Sequence, residues 1–209
     1  MKAGFIQRFI ARFDPQSAPD LVSLEIGAPR DLSFKYPDVP PPDRELSPQL
    51  LAAAWTCHDV YGEEMPAIAA NLLEAGFDSP SLGRLAGEIG VACSADVGDL
   101  VSRVFRELNV RYPLSEVQSR LIVSRQVARE VIAGKRDGER AARYLRSAIG
   151  WDRRAPDELQ VLFELLDDLV WSAGYLKFAN TSADEFFDAF ARIASMSDEL
   201  IFIGANSTK

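Results

Sequence analysis

Cysteine and histidine are scarce in this chain of 209 residues, which has two cysteines, Cys57 and Cys93, and one histidine, His58. Two cysteines without a Cys-x-x-Cys pair do not make a disulfide framework and are typical of free thiols in a reducing compartment. A lone histidine gives no recognisable zinc-ligand spacing. The sequence therefore predicts a cytoplasmic protein that uses no metal and no cofactor.

Long apolar runs are also missing. No stretch approaches about 18 apolar residues without a charged one, so no membrane-spanning helix is predicted. Polar residues interrupt the apolar N-terminal region at Gln7, Arg8 and Arg12, which argues against a signal peptide. The glycine-rich stretch 83–90 has neither a preceding strand nor the Lys-Ser/Thr pair of a phosphate-binding loop, so no nucleotide site is predicted there.

Proline is abundant only near the N-terminus, where eight of the twelve prolines lie within the first 48 residues. The run Pro40-Pro41-Pro42 favours an extended conformation and cannot form the interior of a helix. We therefore divide the chain into an N-terminal amphipathic segment and proline-rich arm, residues 1–46, and a helical domain, residues 47–209.

Helix signals recur from residue 47 onward. Ser47-Pro48 and Ser79-Pro80 each place proline directly after an N-cap serine. Ser115 and Gln118 form a capping-box pair, and Gly76 is placed to end a helix. The predicted class is mainly α, a single helical bundle of about eight helices with an extended proline-rich N-terminal arm. We predict helices at 47–58, 63–75, 79–88, 94–108, 115–133, 137–149, 156–173 and from 182 onward.

A weak internal repeat offers a different architecture. The segments 47–78 and 79–110 begin with the same Ser-Pro signal 32 residues apart. Two helical hairpins of a solenoid-like adaptor would give this pattern, but solenoids need about three units and no third copy is legible. The stretch from Met65 to Glu88 resembles small helical bacterial proteins, and this resemblance indicates no family and no site residue.

Charge is distributed unevenly along the chain. The net charge is −8, from 31 acidic and 23 basic residues, which disfavours general nucleic-acid binding because phosphate requires a positive field. Residues 51–110 carry 9 acidic and 3 basic groups, and residues 155–209 carry 10 and 3. Residues 111–154 carry 11 basic groups, ten of them arginine, and 5 acidic groups. Two acidic segments therefore enclose a basic one.

Four arginines of the basic segment form a candidate anion- or partner-binding row. Arg136 precedes the predicted helix 137–149, and Arg140, Arg143 and Arg146 lie opposite its apolar stripe. Guanidinium groups hold phosphate or carboxylate through paired, planar contacts. The alternative is that these arginines pair with acidic residues of the protein itself.

The N-terminal segment provides a second candidate surface. Phe5, Phe9 and Phe13, together with Ile6 and Ile10, fall within an arc of about 140° on a helix. Such an apolar face can dock in a groove of a partner protein or lie on an anionic membrane. The alternative is that it packs on the chain's own bundle.

Catalytic candidates are weaker than these surfaces. His58 is followed by carboxylates in the range 59–64, which could form a base or a metal site, although a helix-end histidine near the helix dipole is the simpler interpretation. The group formed by Glu164, Asp167 and Asp168 is more typical of a solvated or arginine-paired helix face than of an acid–base pair.

We expect a non-catalytic protein-interaction protein that acts through charged surfaces. One form of this hypothesis is an immunity or antitoxin-type inhibitor whose acidic segments cover the basic cleft of a toxin such as a nuclease. The alternative is an enzyme or sensor that binds an anionic small molecule through the arginine-rich helix 136–146. The expected partner is another protein, nucleic acid and a membrane span are not expected, and a homo-oligomer is left open.

Overall fold

The computed structural model describes residues 29–43, 47–149 and 183–203. Within these residues the chain is mainly helical, which confirms the predicted fold class. A 3₁₀ turn, Gly62–Glu64, precedes α2, and the predicted helix 156–173 lies outside the described residues. The helices are α1 Pro48–Thr56, α2 Met65–Glu74, α3 Pro80–Ala86, α4 Ser94–Glu107, α5 Glu116–Ile132, α6 Gly138–Ile149, α7 Ala183–Ala194 and α8 Asp198–Ile203.

Two helices begin at side-chain caps that the sequence predicts, whereas Ser47 precedes α1 without a side-chain cap hydrogen bond. Ser79 Oγ accepts a hydrogen bond from the Leu82 N–H at 3.1 Å. Ser115 and Gln118 form the reciprocal capping box, in which Ser115 N–H donates to Gln118 Oε1 at 2.9 Å and Gln118 N–H donates to Ser115 Oγ at 3.2 Å. These side chains satisfy amide groups that have no partner inside a helix, which explains why the chain turns helical there.

Four helices end in the same hydrogen-bond arrangement, with one residue at positive φ after the last turn. Gly76 and Gly134 occupy this position at φ +89° and +64°, as their type favours. His58 and Asn109 occupy it after α1 and α4 at φ +57° and +54°. At the end of α1, the His58 N–H donates to the Trp55 carbonyl at 3.2 Å and the Asp59 N–H donates to the Ala54 carbonyl at 2.9 Å, which closes the turn.

Replacing His58 with glycine should raise the free energy of unfolding by about 0.5–1 kcal/mol. A side chain at positive φ costs roughly 1 kcal/mol, and glycine removes that cost while gaining some freedom in the unfolded chain. His58→Ala keeps the unfavourable φ and serves as the matched control. Urea denaturation of the three proteins measures the difference, and a glycine variant less stable than the alanine variant would contradict this interpretation.

The described residues belong to two compact units, and the boundary between the units falls within α5, after Val123. The first unit, within Asp43–Val123, contains α1 to α4 and the start of α5. There α2 packs on α3, α3 packs on α4, and α1 contacts α4. Stacked solenoid repeats would instead place α1 on α3 and α2 on α4. The core of this unit includes Met65, Leu72, Leu82, Leu85, Val101, Val104 and Phe105.

The second unit contains the rest of α5, α6, α7, α8 and the described end of the arm, residues 29–42. Its core includes fully buried Phe190, whose ring lies 5.1 Å from that of Phe186 in an edge-on contact. The arm is tied to α5 by the Leu32 N–H, which donates to the Ile132 carbonyl at 2.8 Å. The boundary at residues 46 and 47 stays a prediction, because residues 1–28 and 44–46 lie outside the described part.

Two side-chain contacts tie the same arm to α7. Lys35 Nζ lies 2.6 Å from Asp184 Oδ1, and the Tyr36 hydroxyl donates to Asp188 Oδ1 at 2.6 Å. Asp184 and Asp188 are one turn apart on α7, so both contacts use a single face of that helix. Residues 29–42, which we call the strap, therefore lie against α5 and α7 of the second unit.

Candidate functional site

Arg136, the first residue of the predicted arginine row, is held in a buried ion pair. Its Nε and Nη2 atoms donate to Glu130 Oε2 at 2.9 and 2.6 Å, and the two side chains are only 10% and 12% exposed. Glu130 lies near the end of α5 and also accepts a hydrogen bond from Gln126 Nε2 at 3.0 Å. The charge of Arg136 is therefore neutralised by a carboxylate of the protein itself.

The other arginines of the row belong to α6. Arg143 forms an ion pair with Glu139, one turn earlier on the same helix. Arg140 is exposed, and it also interacts with another residue. The side chain of Arg146 lies outside the described part. The structure thus places Arg136 and Arg143 against internal carboxylates. Binding of an anion or a partner by the row stays a prediction.

Two further arginines of the basic segment hold the connection between α7 and α8. Arg125, which is 9% exposed, donates from Nη1 to the Met196 carbonyl at 3.0 Å and to Asp198 Oδ1 at 2.7 Å. Arg129 Nε donates to the Ala194 carbonyl at 3.1 Å. Carbonyls at the end of a helix have no intrahelical partner and carry partial negative charge, so cations stabilise them. The sequence does not indicate this role, because the partners are 65 to 73 residues away.

The first unit uses its acidic residues differently. Between residues 47 and 123 there are ten acidic and five basic side chains. Some carboxylates are engaged at helix starts, and Asp96 and Glu64 accept backbone N–H groups there. Glu107 accepts from the Ser81 N–H at 2.9 Å and from the Ser81 hydroxyl at 2.6 Å, and these donors hold its pKa below the usual value. Five others are exposed and make no hydrogen bond or ion pair within the described ranges: Glu63, Glu74, Asp78, Glu88 and Asp99.

The Cys57-His58-Asp59 sequence at the end of α1 is the remaining chemical candidate. Burial, helped by the nearby Asp59 carboxylate, raises the pKa of the Cys57 thiol to about 12. A thiol with this pKa is protonated at neutral pH and is a poor nucleophile. The His58 side chain is exposed at the helix end, as the simpler sequence interpretation has it. This arrangement does not supply the thiolate that a Cys–His site requires.

Asp59 is a half-buried carboxylic acid with a perturbed pKa. Burial raises its pKa to about 6, although the nearby Arg120 guanidinium acts in the opposite direction. Arg120 is itself paired with Glu116, one turn away at the start of α5. Asp59 therefore receives only part of the stabilisation that a dedicated cation would give its charged form.

The pKa of Asp59 predicts a loss of stability as pH rises from about 4 to about 6. The pKa of Asp59 is 3.8 in the unfolded chain and about 6 in the folded chain. The folded state therefore has its full advantage from binding this proton below pH 3.8, and it loses that advantage as the pH rises to about 6. The shift would be worth roughly 3 kcal/mol at full burial. Partial exposure reduces this to about 1 kcal/mol.

The substitution Asp59→Asn isolates this effect from the other carboxyl groups. It should raise the free energy of unfolding by about 1 kcal/mol near neutral pH and leave it almost unchanged near pH 4. Denaturant unfolding of both proteins across this pH range provides the measurement. A constant difference between variant and wild type at every pH would show that Asp59 does not titrate as described.

Several candidates from the sequence lie outside the described residues. These are Phe5, Phe9 and Phe13 and the acidic group 164–168, and they stay predictions. Within the described ranges, no group of three His, Cys, Asp or Glu side chains could hold a metal ion. No helix in that part is both long and apolar enough to cross a bilayer.

Comparisons with known proteins add no relative to this picture, since no protein-family model, no curated protein and no solved structure matches the chain.

Proposed function

We propose that this chain is a non-catalytic protein-interaction protein whose acidic first unit binds a basic surface of another protein. The proposal rests on a difference between the arginines of the basic segment and the carboxylates of the first unit. Arg120, Arg125, Arg136 and Arg143 of the basic segment each contact a carboxylate of the protein. The five exposed carboxylates of the first unit make no such contact within the described residues, so their charge faces solvent.

Exposed carboxylates suit a basic partner for a physical reason. Complementary charge raises the rate of encounter and penalises partners of the wrong sign. An immunity or antitoxin-type inhibitor is the specific form that we favour. Such an inhibitor needs negative charge to cover the positive cleft of a nuclease, and it needs no catalytic residues. The two free thiols, Cys57 and Cys93, support a reducing, cytoplasmic setting for this role.

The decisive experiment begins with capture of partners from a lysate of the native cell by the full chain. We expect one or a few basic proteins that bind at about 0.05 M salt and are released at about 0.5 M, where exposed charges are screened. The product of the neighbouring reading frame is then expressed and tested directly, since inhibitors of this type are paired with one target. Retention that does not depend on salt would contradict the proposal.

Two matched double variants locate the binding face on the captured protein. Glu74→Gln with Asp78→Asn removes two exposed charges of the first unit, and Asp38→Asn with Glu199→Gln removes two exposed charges of the second. Each pair changes the net charge equally. We expect the first pair to slow association by roughly 3- to 10-fold and the second to have a much smaller effect. Equal effects would show that net charge alone, and not the first unit, attracts the partner.

A further inference from the structure

An open groove of about 490 Å³ lies in the first unit where α4 ends. Arg106 from the last turn of α4 lines one part of it, and the segment 109–113 that follows the helix lines most of the rest. Asn109, Arg111, Tyr112 and Pro113 are among the residues of this segment that line it. The lining thus includes two arginines, an asparagine, a tyrosine and a proline.

The walls of this groove are held in place by contacts outside it. The side chain of Gln49 in α1 binds the Arg111 backbone twice: its Nε2 donates to the carbonyl at 3.2 Å, and its Oε1 accepts from the N–H at 3.0 Å. The Tyr112 ring lies 5.0 Å from the fully buried ring of Phe105. Asn109 closes the last turn of α4 at positive φ. The backbone of Arg111 and the ring of Tyr112 are therefore held in place before a ligand binds, which lowers the entropic cost of binding.

The polar groups of the groove favour an anion. The side chains of Arg106 and Asn109 are exposed and make no hydrogen bond or ion pair within the described residues. The neighbouring carboxylate, Glu107, is engaged by Ser81. Field lines concentrate in a concave surface, and salt limits the influence of more distant acidic residues to about 8 Å. The lining of the groove contains two arginines and no acidic residue.

We propose that this groove binds a small phosphate monoester that carries a flat organic group. The phosphate oxygens accept hydrogen bonds from the guanidinium groups of Arg106 and Arg111, which present planar sets of donors, and from the amide of Asn109. The organic group covers Tyr112 and Pro113. A volume of this size accommodates such a molecule, because small-molecule sites commonly measure about 300–1,000 Å³.

Titration calorimetry on the full chain tests the site with three probes: adenosine monophosphate, adenosine and inorganic phosphate. We expect the monophosphate to bind most tightly, inorganic phosphate to bind more weakly, and adenosine to give no measurable heat. Arg106→Gln and Arg111→Gln should each weaken binding of the monophosphate by about 10-fold or more, since each removes charge-assisted hydrogen bonds. Circular dichroism confirms that each variant is folded.

Arg84→Gln is the matched control, because Arg84 is an exposed arginine of the same unit that does not line the groove. An equal loss in this variant would mean that the probe responds to general charge, and it would overturn the proposal. Unchanged affinity in Arg106→Gln, or no heat with the monophosphate at millimolar concentration, would overturn it as well. If Arg111→Gln fails to fold, Arg106→Gln decides the outcome alone.

Discussion

Replacing Arg136 with methionine should lower the free energy of unfolding by about 3 kcal/mol. The substitution keeps the apolar length of the side chain but leaves the Glu130 carboxylate buried without its cation, and breaking one side of a buried ion pair typically costs 3–5 kcal/mol. We take the lower end because both side chains retain slight exposure. Urea denaturation monitored by circular dichroism measures the change.

Two further variants separate this explanation from a general loss of packing. The double variant Arg136→Met with Glu130→Gln removes both charges, so it should recover most of the stability lost in the single variant. Arg143→Met breaks the partly exposed pair with Glu139 and should cost less than about 0.5 kcal/mol. A similar loss in Arg136→Met and Arg143→Met would contradict a structural role specific to Arg136.

Replacing Gly134 with alanine should cost about 2–3 kcal/mol. Gly134 has φ +64°, and a Cβ atom there would lie 2.5 Å from the backbone nitrogen of Asp31 and 2.7 Å from the carbonyl carbon of Arg30. A side chain at positive φ costs roughly 1 kcal/mol, and displacing neighbouring backbone adds a similar amount or more. The strap would have to move away from the end of α5.

Hydrogen exchange identifies the segment that moves in Gly134→Ala. The Leu32 N–H, which donates to the Ile132 carbonyl at 2.8 Å, should lose protection, whereas core amides of the first unit should not. Gly98→Ala is the control, because a Cβ at Gly98 meets no atom within 4 Å and alanine favours the helix by roughly 0.8 kcal/mol. A Gly134 variant as stable as wild type would mean that the strap does not pack on α5 as described.

Helix boundaries were predictable because their signals are local. Ser79 and the pair Ser115 and Gln118 make the cap contacts that their spacing predicts, and Gly76 and Gly134 adopt the positive φ that ends a helix. Each of these interactions joins residues within about one turn, so the sequence contains all the partners. The predicted helix that begins at 94 likewise corresponds to α4.

Other features depend on residues that are distant in the chain. The contacts of Arg125 and Arg129 with the end of α7 and the start of α8 arise only when helices pack. Helix α8 has six residues, which is too short to show a helical period, so the prediction lacks it. The groove beside Arg106 also needs Gln49 to hold residue 111, 62 positions away. Counting charges along the sequence indicates none of these arrangements.

The same distinction explains why the charge map alone was ambiguous. The segment 111–154 is basic in the sequence, but a count of arginines does not tell which of them meet a carboxylate. In the structure Arg136 meets Glu130 and Arg125 meets Asp198, so these charges are used to hold helices. The five exposed carboxylates of the first unit make no such contact within the described residues, and we therefore propose them as the surface for a partner.

The most direct test compares the exposed charge of the acidic first unit with that of the basic segment 111–154. The full chain is applied at low salt to immobilised polylysine and to immobilised heparin. We predict retention on polylysine, with an elution salt that falls more in Glu74→Gln with Asp78→Asn than in Asp38→Asn with Glu199→Gln, and no retention on heparin. Retention on heparin that disappears in Arg140→Gln with Arg143→Gln would show that the basic segment faces outward and would contradict the proposed role of the acidic unit.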